Sequence, residues 1–192
     1  MDDPYPSYLL IAQVSSFSFS YFLFNGLALL ILLVGSALVS GSEVAFFSLS
    51  KDELTDLNQK HPEKGRVITS LLATPKILLS TVLILNNLIN IGIVTLTTFV
   101  TWTLFGTNAT GLVVILIQTV GVTFAIVFFG EIVPKVYANQ ANTRFALALA
   151  RPITFFTHLL KPFSAFLIAF SNIIEKRVQQ KGYSLSVDEL NQ

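Results

Sequence analysis

The chain has 192 residues, of which 53% are hydrophobic and 12% are charged, and its formal net charge is +1. Soluble domains carry about 25% charged residues, so this composition indicates an integral membrane protein. The balanced charge offers no basic stripe for nucleic acid, and the absence of cysteine excludes disulfides, thiolate zinc sites and iron–sulfur clusters.

The first apolar run extends from Tyr21 to Phe47 and predicts a membrane-spanning helix. It is longer than the roughly 20 residues that a bilayer requires, so we expect the helix to tilt or to pack one end against protein. The chain starts with Met-Asp-Asp, without a basic segment or a cleavage signal. We therefore interpret the run as a retained anchor rather than a signal peptide.

A charged segment from Lys51 to Arg66 follows the first run. Ser50, with Glu53 three residues later, has the pattern of a capping box, so a short surface helix is predicted to begin here. We expect a turn around His61-Pro62 and Gly65 before the chain returns to the membrane.

Two further spans are predicted after this segment. Thr74-Pro75 supplies an N-cap and a proline at the first helical position, and the helix is expected to extend from Ile77 to about Leu104. An uncharged turn at residues 106–111 leads into a third span from Leu112 to about Val133.

The distribution of positive charge predicts the orientation in the membrane. Three spans place the 51–66 segment and the whole C-terminal part on one side, and that side carries all twelve Lys and Arg residues. By the positive-inside rule this side is cytosolic. We therefore expect a multi-pass protein of the inner (plasma) membrane, with its N-terminus outside and its C-terminus in the cytosol.

Residues 152–174 are apolar enough to suggest a fourth span. Two prolines, Pro152 and Pro162, are expected to cut this run into shorter helices, and the run also contains His158 and Lys161. A fourth span would in addition move the later basic residues to the outside. We therefore favour amphipathic helices that lie against the cytosolic face.

The predicted fold class is all-α integral membrane, with three transmembrane helices and cytosolic juxtamembrane amphipathic helices. Residues 1–140 are predicted to form the three-span region, and residues 141–183 a juxtamembrane helical belt. Ser186-Val187-Asp188-Glu189 has the pattern of a second capping box. We interpret residues 184–192 as the start of a linker to a cytosolic domain that is absent from this chain.

Only two charged side chains lie within the long apolar stretches, residues 17–50 and 77–134, and they are Glu43 and Glu131. A carboxylate in hydrocarbon is costly and usually marks an ion path or a proton relay. Glu43 lies near the cytosolic boundary, where capping of the following loop is an alternative role. For Glu131 the alternative is a partly hydrated ion pair with Lys135, four residues later.

Uncharged polar residues recur at helical spacing in the same stretches. Ser36 and Ser40 share one face of the first helix, and Asn86 and Asn90 share one face of the second. Such residues often serve close packing and interhelical hydrogen bonds in membranes. Packing is therefore an open alternative to ion binding for all four.

Pro134 changes the backbone chemistry beside Glu131. Proline lacks an N–H and clashes with the carbonyl four residues back, so the Gly130 carbonyl is expected to lose its helical partner. A carboxylate, a free carbonyl, amide oxygens and hydroxyls form a set of hard oxygen ligands, which favours Mg²⁺ or Ca²⁺ over zinc or copper. Irregular backbone at membrane depth is tolerated where it lines a cavity or is buried in protein.

Three runs of sequence carry a resemblance to a known family. They are SALVSGSEVAFFSLSKDEL from Ser36, LSTVLILNNLIN from Leu79, and VFFGEIVPKVYANQANTRFALALARP from Val127. In this order and at this spacing they resemble the membrane domain of the CorC/CNNM family. The resemblance covers nearly the whole chain, and its most specific part is the Gly-Glu-Ile-x-Pro-Lys run.

The resemblance implies a homodimer of three-helix bundles with a belt of juxtamembrane helices, usually followed by cytosolic nucleotide-binding CBS modules. It also implies Mg²⁺ efflux, coupled in the transporting members to Na⁺ entry. The tail SLSVDELNQ is similar to members found beside bacterial gliding-motility genes.

The resemblance further implies an ion site, carried over by motif to six positions. Serines of the first helix, asparagines of the second and the glutamate of the third supply its ligands. Leu85 stands where the family often has glycine before the first asparagine. The implied ligands are Ser36 or Ser40, Asn86 with Asn90 beside it, and Glu131 with the Gly130 carbonyl.

The sequence therefore predicts a Mg²⁺ transporter in the lipid bilayer, with Na⁺ as the expected coupling ion. An enzyme is not expected, because no His/Glu metal motif, Ser–His–Asp arrangement or phosphate-binding loop is present. The alternative is a membrane-anchored regulatory or assembly protein in which the polar residues serve only packing.

Overall fold

The computed structural model describes residues 19–169, except for the side chains of residues 107 and 108. Within this range the chain forms helices and turns and no strand. Three helices are long and apolar enough to cross a membrane, Phe19–Phe47, Pro75–Phe105 and Leu112–Gln140. The predicted all-α membrane fold with three spans is confirmed. The predicted linker at 184–192 and the end of the predicted belt lie outside the described residues.

The helices follow one another with short connections. The third span is divided, because an α-helix, a π-helix and a second α-helix succeed each other without a break. The elements are α1 (Phe19–Phe47), α2 (Lys51–Lys60), α3 (Pro62–Leu72), α4 (Pro75–Phe105), a 3₁₀ turn (Gly106–Thr110), α5 (Leu112–Ala125), the π-helix (Ile126–Ile132), α6 (Val133–Gln140), α7 (Asn142–Leu159) and α8 (Lys161–Ala169).

The predicted capping box at the start of α2 is confirmed. The Ser50 hydroxyl accepts the Glu53 N–H at 3.2 Å, and the Ser50 N–H donates to Glu53 Oε2 at 2.8 Å. The Asn142 amide at the start of α7 donates to the same carboxylate oxygen at 3.3 Å and to the Ser48 carbonyl at 3.2 Å. One carboxylate therefore fixes the beginning of α2 and holds the beginning of α7 beside it.

These hydrogen bonds make the stability depend on pH. Donation from Ser50 and Asn142 holds the pKa of Glu53 below its usual range. The stabilisation is therefore fully present above the pKa of Glu53 in the unfolded chain, about 4.3, and is lost as the pH falls through the lowered folded value. We expect Glu53→Gln to lower the unfolding temperature at pH 7, and the difference from wild type to shrink as the pH approaches 3 in a thermal melt series. A difference that is constant across this range would contradict the role given to the carboxylate.

The connection between α2 and α3 differs in part from the prediction. The chain breaks at His61, and Pro62 is the first residue of α3, as its fixed φ favours. The turn expected at Gly65 is wrong, because Gly65 is a buried residue inside α3. A Cβ atom on Gly65 would lie 2.8 Å from Asn58 Cα, so the glycine is needed for the close approach of α2 and α3.

The chain after α6 also corrects one expectation. α7 continues through Pro152, so the break expected there is wrong. Ala150 and Ile153 are buried on either side of the proline, and this packing maintains the helix despite the missing hydrogen bond. The break occurs before Pro162 instead, where α7 and α8 meet at 70°. The assignment of this bent pair to the membrane surface, rather than to a fourth, broken span, stays a prediction.

The chain divides into two compact units, and α1 and α4 contribute to both. Within the described residues, the second unit comprises Ser42–Leu85 and residues 138–169. Its core is apolar, since α3 packs against both α2 and α7 and the side chains buried there include Phe46, Ile68 and Ile153. Burial of these side chains supplies the main stabilisation of the unit.

Within the described residues, the first unit comprises residues 19–41 together with Asn86–Tyr137. Its long apolar side chains point mostly outward, as expected for contact with lipid. Polar pairs join its helices instead: the Tyr21 hydroxyl donates to Thr103 Oγ1 at 3.2 Å, and the Gln118 amide donates to Thr98 Oγ1 at 2.8 Å. Hydrogen bonds of this kind are a usual means of helix association in membranes.

Candidate cation site

The two serines predicted for the site lie in the interior of the first unit. Ser36 is 0% exposed and Ser40 is 1% exposed, whereas the apolar Val39 and Ile126 each retain 8%. Membrane helices normally place their small residues at helix contacts, and here the contacts enclose hydroxyl groups. Among the described residues of the first unit, the best-shielded side chains are therefore these two polar ones, which defines where a polar site lies.

The Ser36 hydroxyl faces two amide oxygens of α4. Its Oγ atom lies 3.1 Å from Asn86 Oδ1 and 2.9 Å from Asn90 Oδ1, and both contacts have hydrogen-bond geometry. A hydroxyl carries one hydrogen, so it satisfies the two amide oxygens only by sharing that hydrogen between them. The Ser36 hydroxyl oxygen and the two amide oxygens thus converge with a single hydrogen among them. The cluster has more hydrogen-bond acceptors than donors at this point.

The amide nitrogens of the same two asparagines face the third span. Asn86 Nδ2 and Asn90 Nδ2 each donate to Glu131 Oε1 at 3.3 Å. An ionised carboxylate only accepts hydrogen bonds, so the nitrogens must turn towards Glu131 and the amide oxygens must turn towards Ser36. The two asparagines therefore bridge a hydroxyl on α1 to a carboxylate on the third span.

A π-helix carries Glu131, and the sequence did not predict it. The Val133 N–H donates to the Phe128 carbonyl, five residues back, and the next residue, Pro134, has no N–H to offer Gly130. π-Turns inside α-helices are frequent at functional sites. The sequence signal was Pro134 itself, which predicts a disturbed backbone but not the widened turn that replaces the α-helix.

Gly130 allows the π-helix to approach α1 closely. A Cβ atom at this position would lie 3.0 Å from Ser36 Oγ and 3.4 Å from Ser36 Cβ. Gly130 is buried, and it faces the same hydroxyl that receives the two asparagine oxygens. Gly130 thus contributes to the cluster because its lack of a side chain leaves room for the Ser36 hydroxyl.

Ser40 stands apart from the hydrogen-bonded set. Its hydroxyl oxygen is buried and has no hydrogen-bond partner among the residues from 19 to 169. An unpaired buried hydroxyl costs roughly 1–3 kcal/mol and needs an explanation. Of the six predicted site residues, the structure therefore brings five together and leaves Ser40 one helical turn along α1 from Ser36, with an unused oxygen.

The chemistry of the cluster suits a hard cation. It combines one carboxylate, Glu131, with two amide oxygens and a hydroxyl, all of them ligands that Mg²⁺ and Ca²⁺ accept. Within the described part of the chain no three His, Cys, Asp or Glu side chains gather as a metal-binding group. The donor set thus consists of one carboxylate and three neutral oxygens.

The fold and the cluster define the class of the protein. It is a multi-pass membrane domain with a hydrogen-bonded polar cluster inside its three spans. The Cyclin M transmembrane N-terminal domain family matches residues 27–192, so the chain belongs to the CNNM family. The resemblance based on the three sequence runs is confirmed.

Curated bacterial proteins are similar to the same region. A UPF0053 protein of Haemophilus influenzae is 34% identical over 157 residues, which are 79% of this chain and 34% of the relative. The UPF0053 protein sll1254 of Synechocystis is 29% identical over 70% of this chain and 38% of its own length. The UPF0053 inner membrane protein YfjD of Escherichia coli is 34% identical over 54% of this chain and 23% of its own length. The chain thus spans about a third of the first two relatives.

Proposed function

We propose that this domain transports Mg²⁺ across the membrane, outward, with Na⁺ entry as the coupled reaction. Glu131 is the charged ligand in this proposal, and Asn86, Asn90 and Ser36 supply neutral oxygens. Ser40 and the Gly130 carbonyl complete the set. Membership of the CNNM family supports the choice of a membrane transporter, and the resemblance of the motifs supports the ion and the coupling.

One observation carries the proposal. Two asparagines span the distance between Ser36 and Glu131, so that residues from all three membrane helices meet in one hydrogen-bonded cluster. Simple packing would be served by hydroxyls bonded within their own helix, as Thr97 is bonded to the Ile93 carbonyl. Three oxygens converge on one hydrogen, and one turn away lies the buried Ser40 hydroxyl, which has no hydrogen-bond partner among the described residues. This arrangement instead suggests a position for a positive ion.

Mg²⁺ imposes a particular demand on such a site. The ion gives up its water reluctantly and prefers near-octahedral oxygen ligands. A single carboxylate with several neutral oxygens compensates for part of the lost hydration without binding the ion so strongly that release is prevented. This balance is what conduction through a membrane site requires.

The assembly of the proposed transporter follows the family resemblance. In the third span only 6% of the most apolar window is buried, compared with 28% in the second span. The exposed apolar face is available for lipid and for a second copy of the chain, and we propose a homodimer. We place the protein in the inner (plasma) membrane, with its N-terminus outside and its C-terminus in the cytosol, where CBS modules would follow.

The experiment that tests the proposal measures Mg²⁺ flux into proteoliposomes, reported by an indicator dye enclosed in them. Wild type is compared with Asn86→Leu, which keeps the branched shape and the number of side-chain heavy atoms and removes the amide oxygen and nitrogen. We expect flux in wild type, faster with an opposed Na⁺ gradient, and loss of at least about nine-tenths of that flux in the variant, because a ligand and a bridge are removed together. Protein-free liposomes provide the background.

Each other outcome has a definite meaning. Flux that does not respond to Na⁺ would support Mg²⁺ transport but overturn its coupling to Na⁺ entry. Equal flux in wild type and Asn86→Leu would overturn the site. Folded wild-type protein that neither binds Mg²⁺ nor passes it would favour the alternative, a membrane-anchored regulatory or assembly protein.

A further inference from the structure

A cavity of about 390 Å³ lies in the second unit, and none of its lining residues belongs to the polar cluster. Its walls come from the C-terminal parts of α3 and α7 and from the beginnings of α4 and α8. Three basic side chains line it, Arg66, His158 and Lys161, and no Asp or Glu is among the described residues that line it. A concave site of this size with one sign of charge selects an anionic ligand.

Within the described part of the chain, the two permanently charged side chains of the cavity have no acidic partner. Arg66 and Lys161 form no ion pair with any residue between 19 and 169, whereas the nearby Arg151 lies 3.1 Å from Glu63 and Lys60 lies 2.8 Å from Asp56. The pairing elsewhere on the surface shows that carboxylates are available in this unit. The cavity is therefore a local excess of positive charge.

The side chains of α7 present a fixed imidazole to the cavity. His158 Nδ1 lies 2.8 Å from the Thr154 carbonyl, and a carbonyl only accepts, so this nitrogen carries the hydrogen. The Nε2 edge is then the part of the ring left for a ligand. Ser70 and Thr74 add hydroxyl groups to the lining, and hydroxyls donate readily to phosphate oxygens.

The cavity is located where the chain enters the membrane. Thr74 and Ile77 line it, and the second span begins between them at Pro75. On α8, which starts at the lining residue Lys161, Phe163 is 63% exposed and Phe166 is 75% exposed. A basic cavity at the start of a helix that exposes aromatic side chains is the arrangement expected at the headgroup level of a bilayer.

Packing fixes the helix that carries Lys161. The hydroxyl of Ser164, one turn later on α8, lies 3.2 Å from Thr81 Oγ1 of α4, and both residues are 0% exposed. This buried hydrogen bond holds α8 against the start of the second span. The beginning of α8, which carries Lys161, is therefore held at the cavity by packing of the helix.

We propose that this cavity binds the phosphate of an anionic phospholipid headgroup, with Arg66 and Lys161 as its charged ligands. Three apolar residues complete the lining, Val67, Leu71 and Ile77. Phosphate oxygens match guanidinium and ammonium donors in charge and geometry. The inference is independent of the proposed cation transport, because no residue of the polar cluster takes part.

The test compares lipid binding by wild type and two double variants of equal charge. Arg66→Gln with Lys161→Gln removes the two cavity charges, and Lys64→Gln with Arg144→Gln removes two charges that lie outside the cavity. Native mass spectrometry of the detergent-solubilised protein, titrated with phosphatidylglycerol or phosphatidylcholine, measures the apparent Kd. We expect phosphatidylglycerol binding to weaken by about tenfold or more in the cavity variant and by less than about threefold in the control.

A second variant separates binding from folding. Ser70→Trp fills the cavity without changing its charge, and we expect it to lose phosphatidylglycerol binding while thermal unfolding in the absence of lipid stays close to wild type. Equal losses in the two double variants, or equal binding of phosphatidylcholine, would overturn the proposal in favour of diffuse surface charge. Stabilisation of wild type by inorganic phosphate or glycerol 3-phosphate as strong as that by phosphatidylglycerol would overturn the lipid as the occupant.

Discussion

Replacement of Glu131 by glutamine is expected to weaken Mg²⁺ binding by more than about a hundredfold. The substitution keeps the size and shape of the side chain and removes the one negative charge that the hydrogen-bonded cluster contains. At an effective dielectric constant of about 20, two unit charges about 4 Å apart interact by roughly 4 kcal/mol. Loss of this attraction exceeds what any single neutral ligand supplies.

The measurement is the unfolding temperature of the purified protein as a function of Mg²⁺ concentration. A ligand that binds the folded state raises this temperature in proportion to the logarithm of its concentration above the Kd. We expect a rise in wild type and none in Glu131→Gln at millimolar Mg²⁺.

Glu63→Gln is the matched control for this measurement. Its carboxylate is 85% exposed and pairs with Arg151 on the surface, and such pairs contribute little to stability. It is therefore expected to respond to Mg²⁺ as wild type does. A normal response in Glu131→Gln would exclude Glu131 as the main ligand.

Substitution of Gly130 by alanine is expected to disturb both stability and Mg²⁺ binding. The new methyl group would lie 3.0 Å from Ser36 Oγ, so either the hydroxyl or the π-helix must move. Overpacking of a close-packed contact typically costs about 1–3 kcal/mol. Movement of Ser36 away from the asparagine oxygens should in addition weaken Mg²⁺ binding by about tenfold or more.

Two further variants distinguish this mechanism from a general effect of glycine replacement. Gly121→Ala lies in α5 of the same span, where an added Cβ meets nothing within 4 Å, and it should leave stability unchanged or raise it by up to about 1 kcal/mol. Combining Gly130→Ala with Ser36→Ala relieves the clash but leaves the two asparagine oxygens without their donor. The unfolding temperature should therefore recover in part, while Mg²⁺ binding does not. Recovery of both would show that the Ser36 hydroxyl is not a ligand.

The spans could be predicted from sequence because hydrophobicity and length alone decide which segments cross a bilayer. Runs of apolar residues and a shortage of charge marked all three helices, and Thr74-Pro75 marked the start of the second. The capping box at Ser50 and Glu53 was also predictable, since it depends on residues three apart in one chain segment. Local rules suffice wherever the partners are neighbours in sequence.

Local rules failed at two positions where distant packing decides the backbone. Gly65 reads as a turn residue but lies inside α3, because α2 approaches it too closely for a Cβ atom. Pro152 reads as a helix breaker but lies inside α7, because buried neighbours on both sides maintain the helix. In each case packing between helices decided the outcome, of α2 on α3 at Gly65 and of α3 on α7 around Pro152.

The candidate site shows the same division. The sequence by itself determined that a carboxylate, two asparagines and two serines lie in membrane spans at helical spacing, because the cost of burying such groups makes each of them conspicuous. Only the tertiary structure decided that the asparagines face Ser36 with their oxygens and Glu131 with their nitrogens. It also decided that a π-helix brings Gly130 against Ser36. Hydrogen bonds between helices depend on rotation about each helix axis, and that rotation is set by packing of the whole unit.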